Sequence, residues 1–165
     1  MNVIEKQGNL LVPSTYLNPE DSNRELNIIH GCNAQGIMGA GLALQVRSKS
    51  EEVYQVYKQA CDNLVDDKQS LLGTITFKRL SPEPITIINA IIQLETGIHK
   101  RQVNYEAVAQ VFDRIATTIL NHLSTQFTLA ISKYFGSALD GGNWNIIRTI
   151  IEESLNKFSN VNLYI

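Results

Sequence analysis

Asn27-Ile-Ile-His-Gly-Cys-Asn-Ala-Gln-Gly-Ile-Met-Gly-Ala-Gly-Leu-Ala-Leu44 passes from an apolar run through a small polar cluster into a glycine-rich turn and then a helical segment. The Ile28-Ile29 core reads as a buried strand. His30, Cys32 and Asn33 stand at its carboxyl end, where open α/β sheets bind ligands. Gly36, Gly39 and Gly41 let the backbone turn sharply and admit a ligand to its amides. A helix starting between Gly39 and Leu42 would aim its unpaired N–H groups and positive dipole end at the same space, which suits a phosphate or diphosphate. The order Gly-x-x-Gly-x-Gly is not the Rossmann fingerprint, and no Gly-Lys-Ser/Thr follows to make a triphosphate loop. On pattern alone the stretch is either an anion-binding elbow or a tight strand-to-helix connection without a ligand.

Working outward, Asn2 to Val12 reads as a strand, a turn at Gly8-Asn9 and the start of a second short strand or loop, and Pro13 to Arg24 as a surface connection. Beyond the elbow, Leu42, Val46, Val53, Val56, Tyr57 and Ala60 recur at helical intervals, with one helix ending and a second capped at Ser50. Leu71 to Arg79 alternates like a half-exposed strand, and Ile85 to Gln93 is the continuous β-branched run of a strand buried on both faces. Val108, Val111, Phe112, Ile115, Ile119 and Leu123 trace a helix that Asn104 can cap, and Phe127 to Ser132 is another buried strand. A second glycine-bearing loop, Tyr134 to Trp144, precedes a helix with Trp144, Ile147, Ile151, Leu155 and Phe158 on its apolar face, and Asn160 to Ile165 closes with a strand. The sequence predicts one domain, residues 1–165, of α/β class: a three-layer α/β/α sandwich with a mixed, largely parallel central sheet and both glycine loops at the strands' carboxyl ends.

The 165 residues suffice for a single core, and 44% hydrophobic with 18% charged residues leaves little room for a disordered tail. A net charge of −2 is no electrostatic footprint for nucleic acid or acidic lipid. The first residues lack a signal peptide's basic start and apolar run, and no stretch is long enough for a membrane span, so a soluble cytoplasmic protein is expected. Cys32 and Cys61 are read as free thiols, Cys61 as helix packing. His30, His99 and His122 are too dispersed for a metal site, and no metal or cofactor is expected.

His30-Gly-Cys-Asn-Ala-Gln-Gly-Ile-Met-Gly-Ala-Gly-Leu-Ala, followed by Gly136-Ser-Ala-Leu-Asp-Gly-Gly-Asn-Trp144, resembles the paired loops of the macro domain, an ADP-ribose-binding module. The subgroup it resembles includes ADP-ribose 1''-phosphate phosphatase and terminal ADP-ribose protein glycohydrolase. Gly8-Asn-Leu-Leu, the Tyr105-Glu-Ala helix start and Leu163-Tyr-Ile also fall where the family has counterparts, so the likeness spans the chain. The resemblance implies ADP-ribose or a derivative, such as its 1''-phosphate or an ADP-ribosylated protein, as the partner. Gly36, Ile37, Met38, Gly39, Ala40 and Gly41 would pass around the distal ribose and diphosphate, and Ser137, Ala138, Leu139 and Gly141 would close over the phosphates. Asn9 and Leu10 would meet the adenine, and Asn33 would hydrogen-bond the distal ribose.

For chemistry the resemblance points to Asp140, where a carboxylate could take a proton from attacking water or stabilise charge developing at C1''. The competing role is a cap on the following helix. His30 is either an assistant in phosphate-ester hydrolysis or a neutral residue that hydrogen-bonds backbone and fixes the elbow. Tyr164 either stacks on adenine or is an edge-strand tyrosine packing locally. Two departures from the family stand out. Asn9 replaces an aspartate that accepts from the adenine amino group. The covalent lysine of the glycohydrolase falls near Leu94 or Glu95, with Lys100 an exposed loop residue nearby. Two functions follow: a metal-independent hydrolase of ADP-ribose 1''-phosphate or ADP-ribosyl esters, using Asp140, Asn33 and His30, or a non-catalytic ADP-ribose reader.

Overall fold

The computed structural model describes residues 1–97, 99–118 and 126–165. Six strands form one sheet: β1 Asn2–Ile4, β2 Leu26–Asn33, β3 Ile75–Leu80, β4 Ile85–Gln93, β5 Phe127–Ile131 and β6 Val161–Tyr164. Their order is β1-β6-β5-β2-β4-β3, parallel throughout except for β3, which runs antiparallel to β4 at one edge. Helices α1 Gly41–Lys49 and α2 Glu51–Asn63 follow β2, α3 Tyr105–Thr118 follows β4, and α4 Trp144–Leu155 lies between β5 and β6.

The period-2 alternation of the buried strands sorts their side chains between two helical layers. Ile29, Ile88, Ala90, Ile92, Leu129 and Leu163 pack with Val108, Phe112 and Ile115 of α3 and Ile147 and Ile151 of α4. From the other face of the sheet, Ile28, Ile87 and Ala130 meet Val46 of α1 and Val53 of α2, and Ile91 meets Tyr57 and Cys61 of α2. This is the three-layer sandwich with a mixed, mostly parallel sheet. β4 is buried along its whole length, as its uninterrupted apolar run requires.

Helix boundaries follow local chemistry. Ser50 ends α1 and caps α2, its hydroxyl accepting from Val53 N at 3.3 Å, and Asn104 Oδ1 accepts from Ala107 N at 3.0 Å at the start of α3. One expectation is corrected. Residues Lys68–Leu71 form a 3-10 turn, with the Asp67 side chain accepting from Ser70 N, so β3 begins only at Ile75, after the left-handed Gly73. Of the two readings of the segment that ends at Val12, a short strand or a loop, the loop holds. The chain then makes short 3-10 turns at Pro13–Thr15 and Pro19–Asp21, each opened by a proline. Ile119 and Leu123, assigned to the α3 face, and His122 lie outside the described residues.

The long connection from β1 to β2 is tied to the sheet by a buried carboxylate. Asp21 accepts from Tyr164 Oη at 2.7 Å, from Asn162 Nδ2 at 2.9 Å and from Arg24 Nη1 at 3.2 Å, and Tyr164 Oη in turn accepts from Asn18 N at 3.1 Å. Removing the carboxylate leaves the buried Tyr164 hydroxyl and the half-buried Asn162 amide of β6 without this acceptor. Asp21→Ala should therefore cost about 2–3 kcal/mol in urea denaturation, and Tyr164→Phe about 1 kcal/mol, because it removes the phenol that donates to the carboxylate.

Candidate functional site

The elbow is built by one side chain. Asn33, at the end of β2, accepts at Oδ1 from Gln35 N (2.9 Å) and Ile37 N (3.3 Å) and donates through Nδ2 to Ile37 O (2.7 Å). Tyr57 of α2 brings its buried hydroxyl to the same place, 2.7 Å from Asn33 O and 2.9 Å from Asn33 Oδ1, and burial pushes its pKa up, so it stays a donor. Gly36 takes the left-handed φ of +77° that lets the loop turn over α2, where a Cβ would press on Lys58 and Cys61. Helix α1 then begins after Ala40, which has no side chain to cap it. The first helical hydrogen bond is Leu44 N to Ala40 O, so the amides of Gly41, Leu42 and Ala43 precede the ladder and have no main-chain partner among the described residues.

The second loop reaches the same place from β5. Tyr134 holds a φ of +68°, a conformation that costs a bulky residue, and Gly136 and Gly141 also lie in the left-handed region. The Asp140 carbonyl accepts from Gln102 N at 2.8 Å and Val103 N at 3.2 Å, which fastens the loop to the segment before α3. Leu139 meets the other loop at Gly41, where a Cβ would lie 3.2 Å from Leu139 Cδ1. Between the loops lies a cavity of about 300 Å³. Among the described residues Asp140 is the one carboxylate on its wall, and its carboxyl is raised above the usual range by burial. The carboxylate faces β2 at Gly31, where a Cβ would lie 3.9 Å from Asp140 Oδ2 and would collide with Ile92 Cδ1 at 2.8 Å. A second cavity of about 640 Å³ shares Leu42 and Ser132 with the first and extends past Asn9, Leu10 and Tyr16 toward Lys6 and Lys133. The two adjoin at Leu42 and Ser132 and form a cleft in two parts over the carboxyl ends of the parallel strands.

No protein-family model matches the chain, and no curated protein matches it. Solved structures do. A macrodomain protein from Streptomyces coelicolor superposes with a TM-score of 0.72 at 22% identity, covering 99% of each chain. The chain has the macrodomain fold. The macrodomain of Thermus aquaticus DarG matches at a TM-score of 0.68 and 22% identity over 98% of this chain and 95% of that one. Thermosipho africanus DarTG, solved in complex with ADP-ribose, matches at 0.72 and 17% identity over 99% of this chain and 41% of that one.

On this macrodomain fold the expected site residues divide. Asn33, Ile37, Gly39, Ala40, Gly41, Ala138, Leu139 and Asp140 line the smaller cavity, while Asn9, Leu10 and Tyr164 border the larger one. Gly36, Met38, Ser137 and Gly141 are on neither wall. Gly36 shapes the turn, Met38 is packed in the core with Tyr57 and Ile91, the Ser137 hydroxyl donates to Tyr134 O, and Gly141 abuts the Arg101 backbone. Asp140 does not cap α4. Asn143 does, through Asn145 N. Asn9 uses its amide oxygen on Leu11 N at 2.9 Å, in a local turn. Tyr164 is only 1% exposed, sits on an inner strand rather than an edge, and packs against Tyr16 with ring centroids 5.8 Å apart, so it is cleft wall and offers no open face for stacking. Gly31, Gln93, Thr96 and Ser132 also line the cleft and escaped the sequence reading. The signal for Gln93 was present: like Asn33, it is a polar residue ending a buried apolar strand.

His30 is corrected as a catalytic residue. It is 1% exposed and absent from both cavity walls, because it points from β2 toward α2 and lies 2.7 Å from Asn89 Oδ1 through Nε2. Asn89 Nδ2 donates to Val53 O and Thr76 Oγ1, so its oxygen is the acceptor and Nε2 carries the proton. His30 is thus a neutral strut, as one of its two readings held, but it bonds a side chain and not the backbone. Among the described residues no three His, Cys, Asp or Glu side chains group to hold a metal ion, and no helix is long and apolar enough to cross a membrane.

Burial pushes the His30 pKa down to about 4 from an ordinary 6.5. The unfolded chain then binds a proton that the folded one refuses, so stability is intact above 6.5 and falls as pH drops from about 6.5 to about 4. The loss over that window should be about 3 kcal/mol. His30→Gln, which keeps a donor for Asn89 but does not titrate, should show a correspondingly shallower loss in denaturation midpoints measured between pH 7 and pH 4.

Proposed function

We propose that the cleft binds ADP-ribose and that the chain hydrolyses an ADP-ribosyl linkage, either ADP-ribose 1''-phosphate or an ester to a protein carboxylate. The observation that carries this is the pairing of one half-buried carboxylate, Asp140, with a cavity that the unpaired main-chain amides at the start of α1 also line. Unpaired amides at the start of α1 suit a diphosphate, and the two adjoining cavities suit an elongated dinucleotide-like ligand. The fold likeness to a protein solved with ADP-ribose supports the same ligand.

With the diphosphate on the elbow, the distal ribose would lie toward Asp140 and Gly31. A water there attacks C1'', the bond from C1'' to the departing phosphate or carboxylate oxygen breaks with its electron pair, and Asp140 takes the water proton before passing it to solvent. The products are ADP-ribose and the free anion. Burial helps by making the carboxylate more basic than an exposed one. Preorganised amides would stabilise the diphosphate without reorganising during the reaction. The competing reading, binding without turnover, draws on the absence, among the described residues, of any amine from the wall of the cavity that holds Asp140, the position of the glycohydrolase lysine falling near Leu94 or Glu95.

Purified chain given ADP-ribose 1''-phosphate and, in parallel, a glutamyl-ADP-ribosylated peptide should release phosphate or ADP-ribose. Asp140→Asn should lower that release by about 100-fold or more while calorimetric affinity for ADP-ribose stays within about threefold. Because Asp140 acts ionised, kcat should fall on acidification through a midpoint above the ordinary aspartate range, and the residual activity of Asp140→Asn should lack that limb. Binding with no release from either substrate would leave the reader.

A further inference from the structure

Gln93 ends β4 at the floor of the cavity that holds Asp140. Its Nε2 donates to Glu95 O at 3.0 Å, which fixes the amide and leaves Oε1 as its free end. Oε1 has no partner among the described residues, and it is not among the buried polar atoms sealed away without one, so it keeps access to open space. Gln93 is part of the wall of this cavity. Main-chain bonds hold the residue between the two loops. Ala34 N of the elbow donates to Gln93 O at 2.8 Å, Gln93 pairs with Val103 in an isolated antiparallel bridge, and Val103 N donates to the Asp140 carbonyl at 3.2 Å.

We propose that Gln93 is a second catalytic residue, its Oε1 accepting one hydrogen of the reacting water while the Asp140 carboxylate faces the other. Two acceptors on one water fix its orientation and aim an oxygen lone pair at C1''. In the step itself the water oxygen bonds to C1'', the leaving oxyanion departs with the bonding pair, one proton passes to Asp140, and the hydrogen held by Gln93 remains as the new hydroxyl of ADP-ribose. An amide suits this role because it accepts without competing for the proton. A second carboxylate there would repel the charge on Asp140. The other titratable groups on the wall are Cys32, whose thiol burial pushes up and keeps neutral, and Tyr134, whose ring turns edge-on to Trp144. Of the neighbouring cations, Arg101 lies over the Tyr105 ring and Lys100 is exposed.

This inference rests on the hydrolase reading, and one set of measurements separates the two. Gln93→Met keeps the length and removes the acceptor. It should lower kcat by about 10- to 100-fold with KM within about threefold. Gln93→Glu should move the acid limb of the kcat profile upward by about one pH unit, a change that loosened packing cannot produce. Melting temperatures of both variants identify any that do not fold, and either folded variant suffices. A wild-type kcat in Gln93→Met, or an unmoved limb in Gln93→Glu, overturns the role of Gln93 alone. No turnover by the wild type on either substrate overturns the hydrolase and this role together.

Discussion

The structure depends on keeping main-chain amides unpaired yet rigid at the end of β2. A helix start normally recruits a serine, threonine or aspartate to satisfy its first N–H groups, but α1 opens after Ala40 with none. The cost of that choice is met one turn earlier, where Asn33 accepts from two loop amides and donates to a loop carbonyl, and the buried Tyr57 hydroxyl bonds the same asparagine. The loop is therefore held from inside, and its outer surface stays free for an anion.

The rest of the fold supplies the geometry around that elbow. Parallel strands place their carboxyl ends at one rim, so β2, β4, β5 and β6 all deliver cleft residues to the same side. The strained Tyr134 turn brings the second loop back over the first, and the absent side chain of Gly31 makes room for Ile92 of β4 beneath it. On the opposite face, His30, Asn89, Thr76 and the Val53 carbonyl form a satisfied polar chain within an apolar layer. Such a chain tends to favour one register between β2 and β4 over its alternatives.

Much of this was legible in residue order. The β-branched run of Ile85 to Gln93, the caps at Ser50 and Asn104, and the glycine spacing of both loops are local signals, and each matches the element it announces. Side-chain direction was not legible in the same way. His30 and Asn33 sit three residues apart in one polar cluster, yet one enters the core and the other builds the site, because strand alternation turns His30 toward α2 and the bulge between Cys32 and Asn33 re-aims the side chains beyond it. Tyr164 likewise reads as an edge residue until β1 pairs outside β6.

The sequence by itself therefore determined the architecture: alternating strand and helix patterns demand two apolar layers around a mostly parallel sheet, and two glycine loops at the strand ends demand a cleft there. Only the tertiary structure decided which polar side chains face that cleft. Asp140 and Gln93 lie 47 positions apart in the chain yet line the same cavity, each paired through its main chain with Val103, an arrangement that arises from packing between distant segments and leaves no periodic trace in either one.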